Sequence, residues 1–346
     1  MAPYWFLFLV PLVGVFSTKR FDSGRFYFFW AIAWVFVTLI VGLRHEVGAD
    51  WYNYVRHFEG ARSDTVYQIL ISSDQAYYLI NFVFFKIGAT VHMVNLFCAG
   101  LSMFGIIVFC RNQPLPWLAF LVAVPYFIIV VSMGYTRQAT ALGFVFLALS
   151  RLDRDDVKMF IVWTLVGALF HKSAVLMLPV AALASTRRPV WAAFWVGLFS
   201  LGASYFLLFD AADELWQNYV VDDYDSEGGL IRILMNAIPA SLFLAFKNKL
   251  AFQDDDQRLW SWMSIFSLCC VPLVLISSAA TDRVALYFIP VQIYVFARLP
   301  VIVSEPYLRA LIVSSIVVYY FLVQLVWLNF ASHSYAWLPY QMYPIN

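Results

Sequence analysis

Residues 159–184 read MFIVWTLVGALFHKSAVLMLPVAALA, and the way this run sits in a membrane decides the fold. It is apolar on both sides of one polar interruption, His171-Lys172-Ser173, and basic residues flank it, Lys158 before and Arg187 and Arg188 after. About 20 helical residues span the hydrocarbon core, so one tilted helix could cross here once. Such a crossing would put the basic flanks on opposite sides, against the tendency of Lys and Arg in short loops to stay cytoplasmic. Two half-helices meeting at the polar interruption keep both flanks on one side. Irregular backbone at membrane depth is tolerated only where it lines a protein cavity. The apex at His171 is therefore expected to face a cavity that opens outward.

The rest of the chain is of the same kind. Its 346 residues are 63% hydrophobic, 19% aromatic and only 12% charged, with a mean hydropathy of +0.76; a soluble domain carries about twice that charge fraction. Apolar runs predict helices near 3–17, 26–43, 93–110, 115–133, 136–150, 190–209, 231–246, 259–276, 284–297 and 310–328. The alternation of a transmembrane barrel is absent. No repeat and no linker divides the chain, so residues 1–346 read as a single integral-membrane domain: an all-α, polytopic membrane helical bundle of about 10–13 membrane segments, some broken or re-entrant. The net charge of +1 points to no nucleic-acid partner. Cys98, Cys110, Cys269 and Cys270 lie in apolar runs without zinc-ligand spacing and read as small buried hydrophobes. The run from Pro3 to Ser17 lacks a basic leader and a small-residue cleavage site, and reads as a retained helix.

Orientation follows from the short loops. Lys19, Arg20 and Arg25, the Arg151/Arg154/Lys158 loop, Arg187/Arg188, Lys247/Lys249/Arg258 and Arg298/Arg309 all read as cytoplasmic. The intervening segments, near 44–75, the acidic 210–230, 277–283 and the tail after 329, then lie outside. Helix 136–150 must end inside, so Arg137 at its start lies outside with Arg44. Between these two arginines, 93–110 and 115–133 already supply two crossings. Stretch 74–89, short and carrying Asp74 and Lys86, is thus expected to be re-entrant or interfacial.

Five polar groups then share the outer face: Arg44-His45-Glu46 with Asp50, Arg137-Gln138, His171-Lys172-Ser173, Arg232, and Asp282-Arg283. Ionisable groups at or within the membrane are paired or functional. Guanidinium forks suit phosphate oxygens, so Arg44, Arg137, Arg232 and Arg283 are candidates to hold a pyrophosphate and stabilise it as a leaving group. His171, or else Asp50, is the candidate base for a hydroxyl nucleophile. Several have a structural alternative: Arg44 as an interfacial anchor, His171 as a satisfied core histidine, Arg232 as a counter-charge to the acidic loop, Asp282-Arg283 as a mutual salt bridge capping the next helix. Asp222, Asp223 and Asp225 lack the remaining positions of a calcium loop. No metal site and no cofactor is expected.

In order along the chain stand RHEVGADWYNY (44–54), DQAYYLIN (74–81), Arg137-Gln138, HKSA (171–174), Asp282-Arg283 with Tyr287, and WLPY (337–340). This ordered set resembles the EpsG family of bacterial exopolysaccharide proteins, related to Wzy-type polymerases; Ala76 stands where the family pattern has Gly. The resemblance implies a GT-C-like glycosyltransferase at the periplasmic face of the bacterial inner membrane. Such an enzyme polymerises undecaprenyl-pyrophosphate-linked oligosaccharide repeat units and releases undecaprenyl pyrophosphate. It also implies contact with membrane lipid, and a flippase and a chain-length regulator of the same pathway as partners. Tyr52, Tyr54, Trp337 and Tyr340 could stack on sugar rings, and Gln138 and Asp282 could bond their hydroxyls. A flippase for the same lipid-linked sugar, or a glycan ligase using the same donor, is the rival reading.

Overall fold

A computed structural model describes residues 1–17, 23–152, 156–184, 228–251 and 254–345, with residues 194 and 198. The expected helix 190–209, Arg187 and Arg188, and nearly all of the 210–230 segment lie outside the described residues.

The chain is a multi-pass helical membrane protein. Its helices are α1 (Ala2–Phe16), α2 (Ser23–Gly42), α3 (Trp51–Gly60), α4 (Val66–Ile71), α5 (Gln75–Lys86), α6 (Val91–Arg111), α7 (Pro116–Gly134) and α8 (Thr136–Leu152). Then follow α9 (Val157–Phe170), α10 (Leu178–Ala184), α11 (Gly229–Leu250), α12 (Asp254–Leu273), α13 (Ser278–Ala285), α14 (Ile289–Arg298) and α15 (Pro306–Phe330). Among the described residues, five helices (α2, α6, α7, α11 and α15) are long and apolar enough to cross a membrane. Two-residue strands β1 (Arg44–His45) and β2 (Gln341–Met342) pair antiparallel and tie the C-terminal segment to the end of α2.

Both awkward stretches behave as parity requires. Helix α5 has 12 residues, about 18 Å at 1.5 Å per residue, well short of the roughly 30 Å core. Residues 159–184 are broken at His171, whose φ of −156° and ψ of 115° end α9 in extended backbone. The next six residues, Lys172–Met177, form a 3-10 turn. A Cβ placed on Gly167 would lie 3.6 Å from the Cβ of Ala174, so the chain turns back over the last turn of α9.

Close helix contacts replace the hydrophobic effect, which lipid does not supply between helices. The α6–α8 pair shows this most clearly. A Cβ on Gly105 would meet the Gly143 carbonyl oxygen at 2.0 Å, and one on Gly143 would meet Ser102 Cα at 2.7 Å. Polar glue joins α11, α14 and α15. Gln292 Nε2 donates to Asn236 Oδ1 at 2.5 Å, Tyr320 donates to Gln292 Oε1 at 2.7 Å, and Asn236 Nδ2 donates to the Ala285 carbonyl at 2.8 Å.

Several expectations need correction. Within the 44–75 segment stand two short helices that the apolar runs do not mark, α3 and α4. The helix read over 284–297 is α13, one 3-10 turn (Leu286–Phe288) and α14. Pro290, which lacks an N–H, suits the first turn of a new helix rather than the interior of a long one. Asp282 and Arg283 therefore sit inside α13. Cys98, Cys110 and Cys270 are buried, but Cys269 is exposed on α12.

Candidate functional site at the start of helix α8

The polar residues converge on the junction Gly134-Tyr135-Thr136-Arg137-Gln138, where α7 ends and α8 begins. A helix start leaves backbone N–H groups without intrahelical acceptors; here the Thr136 N–H donates to the Tyr54 hydroxyl at 2.8 Å. Arg44 holds the same residue from the other side, its Nη2 donating to Thr136 Oγ1 at 2.6 Å.

The remaining Arg44 bonds show what it does. Nη1 donates to the Val41 carbonyl at 2.7 Å and Nε to the Val47 carbonyl at 3.2 Å. The residue is 1% exposed. Val41 belongs to the last turn of α2, whose carbonyls form the negative end of the helix dipole. Arg44 thus ties α2, the 46–48 turn and α8 together from inside the protein. Next to it, Gly48 has φ +101°, and a Cβ there would meet the Met133 carbonyl oxygen at 2.1 Å. Its N–H donates to the Ala336 carbonyl at 2.7 Å.

The next residue of the junction, Arg137, faces a different way. Its Nη1 donates to Asp74 Oδ2 at 2.8 Å, and its side chain keeps 30% exposure. Asp74, at the start of α5, is 2% exposed. It also accepts the Lys172 backbone N–H at 3.3 Å and lies 3.5 Å from His171 Nδ1. Burial by itself would raise the Asp74 carboxyl; the His171, Arg137 and Lys172 contacts outweigh it and hold the group below its ordinary value. One carboxylate therefore orients both the Arg137 guanidinium and the His171 ring. Ser173 shares a 2.8 Å hydrogen bond with the Tyr287 hydroxyl, which docks the broken apex on the turn after α13.

The other arginines are linked to the same junction. Gln138 Nε2 donates to the Arg283 carbonyl at 2.9 Å, while the Arg283 side chain is exposed. Arg232 forks onto Asp282: Nη2 to Oδ2 at 2.7 Å and Nε to Oδ1 at 2.9 Å. Asp282 of α13 is thereby paired with α11.

Asp50 stands at the start of α3, half-buried, and accepts from Asn53 Nδ2 at 3.2 Å. The expected sugar platform divides. Tyr52 is 62% exposed, whereas Tyr54 and Trp337 are 2% exposed. The indole N–H of Trp337 donates to the Ile129 carbonyl at 2.9 Å. Tyr340 donates to the Ile40 carbonyl at 2.7 Å. Tyr54 and Trp337 are thus packed inside the protein, bonded to the α7–α8 junction and to α7.

Asp74 and Tyr287 are absent from the candidate residues read from the sequence, and Ser173 appears there only within the polar apex, although all three lie in its quoted blocks. The signal available for Asp74 was a carboxylate opening an apolar stretch too short to cross.

The EpsG family model matches residues 27–342. The chain belongs to the EpsG family. No curated protein and no solved structure matches it. EpsG is a Wzy-type polymerase family, which assigns the chain a polysaccharide-polymerase type of role in exopolysaccharide biosynthesis. The match runs from α2 to β2, so it takes in every block that meets at the α8 junction.

Proposed function

We propose that this EpsG-family protein is a glycosyltransferase that extends polysaccharide chains from undecaprenyl-pyrophosphate-linked repeat units, at the periplasmic face of the bacterial inner membrane. The observation that carries the reading is the shared carboxylate: Asp74 holds Arg137 at 2.8 Å and His171 Nδ1 at 3.5 Å. An anion-binding group and a candidate base are thus positioned by one residue.

In the proposed step, a hydroxyl of the incoming unit attacks the anomeric carbon of the growing chain. The new C–O bond forms as the bond to pyrophosphate breaks, and the electron pair leaves with the pyrophosphate. Arg137 and Arg283 meet that charge, with Arg232 beside them; guanidinium forks match phosphate geometry, and charge stabilisation at the leaving group lowers the barrier. The hydroxyl proton goes to His171. Its Nδ1 lies 3.5 Å from Asp74, so Nε2 is the nitrogen that would take the proton, in the relation of base and orienting group. This arrangement favours His171 over Asp50, whose carboxylate accepts from its neighbour Asn53 rather than standing behind an arginine. Arg44 is a positioning residue in this scheme, because its contacts are to the protein.

Purified protein in liposomes, supplied with lipid-linked repeat units, is expected to make longer sugar chains. Translocation of the lipid without extension would overturn the polymerase reading in favour of a flippase. Transfer to a different acceptor, without extension, would favour a ligase.

A further inference from the structure

An apolar cleft of about 610 Å³ lies between α11, α15 and the part of α7 that widens into a π-helix over Val124–Val131. Arg232 and His333 line it near the end where the site lies, together with Gly228 and Ser332. From there its wall descends along α15 from Phe330 to Tyr319, about 16 Å at 1.5 Å per residue. That depth is roughly half the hydrocarbon core. Apart from those mouth residues the described part of the wall is apolar or aromatic, with Ile231, Met235, Val323 and Val326 among its residues. Among the described residues of the lining Arg232 is the arginine, and Asp282, a carboxylate it pairs with, stands outside the lining, on α13.

We propose that this cleft holds the isoprenoid chain of a polyprenyl diphosphate, with the diphosphate at Arg232 and the chain running down α15. The shape suits an amphiphile with one anionic head and one chain: a cation at the mouth, a single slot below it, and a depth that ends within one leaflet. The volume is in the range of specific ligand sites. Asp282 links the mouth to the junction through its neighbour Arg283, whose carbonyl accepts from Gln138. A head bound at Arg232 therefore sits on the same network as Arg137 and His171. The identity of the chain rests on the polymerase reading, whereas the slot itself is read from the cleft.

The test uses the full-length protein in liposomes and two photoreactive probes, a farnesyl diphosphate and a phosphatidylglycerol, each carrying the reactive group on its chain. The diphosphate probe is expected to label α11 and α15 peptides, and excess unlabelled polyprenyl diphosphate should remove that label. Labelling by phosphatidylglycerol alone, or a diphosphate label that does not compete, would overturn the proposal. A second arm compares the KM of long-chain and ten-carbon lipid-linked donors. Val326→Trp narrows the slot and is expected to reduce the long-chain advantage about tenfold; an unchanged ratio would also overturn it. Competed labelling of the cleft in a protein that never extends sugar chains would leave the slot standing and defeat the polymerase reading alone.

Discussion

Arg44 and Arg137 look alike in the sequence, yet the structure gives them opposite surroundings. Arg44 is 1% exposed with three protein acceptors, and Arg137 keeps 30% side-chain exposure beside a single carboxylate. Replacing Arg44 by Lys loses the planar fork and leaves buried carbonyls under-satisfied. At roughly 1.5–3 kcal/mol per charge-assisted bond lost, Arg44→Lys is expected to lower thermal stability strongly, and activity should fall with the amount of folded protein. Arg137→Lys should instead keep the melting temperature within a few degrees and lose turnover by tenfold or more in the chain-extension assay. Equal melting losses in the two variants would contradict this division. At Gly48, φ of +101° and the Met133 carbonyl both oppose a side chain, and Gly48→Ala is expected to reduce yield and melting temperature. Asp74 carries the pH dependence. Its folded value is held below the ordinary one, so its contribution to stability is complete above the unfolded value, about 4. It is lost as pH falls through the folded value. The melting-temperature gap between wild type and Asp74→Asn should therefore be flat near neutrality and close below about pH 4; a gap that closes on the alkaline side would refute the assignment.

At the scale of elements, the break in 159–184 was legible because two facts met: basic flanks demanded one side, and His171-Lys172-Ser173 supplied a polar place to turn. The short α5 was legible by counting crossings. The division of 284–297 into α13 and α14 was less so, because the apolar pattern runs through it and only Pro290 signals the restart. Helices α3 and α4 were missed for another reason. Both are short, and the capping box of α4 at Thr65 and Gln68 is a local signal that hydropathy does not register. The α6–α8 contact depends on two glycines that bring backbones together. Gly143→Leu is expected to push these helices apart and lower stability by about 2 kcal/mol or more, as overpacking does. Thermal unfolding in detergent, with Ala148→Leu as a second core substitution on α8, measures how far the loss is special to the crossing.

For the whole molecule, the ends of α2, α7, α9 and α15 and the starts of α5, α6, α8 and α11 share one face with the junction, through the contacts of Arg44, His45, Arg137, His171, Arg232 and Trp337. Residues 112–115 and 299–305 connect helices at the other end. Single cysteines at Tyr335 and Tyr307, which are 74% and 78% exposed, placed in a background with Cys269 replaced, are therefore expected to react with an impermeant thiol reagent from opposite sides of the membrane. Labelling of both from one side would break the one-face arrangement. The sequence by itself determined the solvent of this protein, since an apolar chain with 12% charge must satisfy its backbone within helices. It also determined where the path breaks, because charge and length are local quantities. Only the tertiary structure decided which polar groups meet one another. Asp74 lies 63 residues from Arg137 along the chain and 97 from His171, and no spacing rule reaches that far. The same folding buried Arg44, Tyr54 and Trp337, which the sequence could place on the right face but not inside or outside its wall.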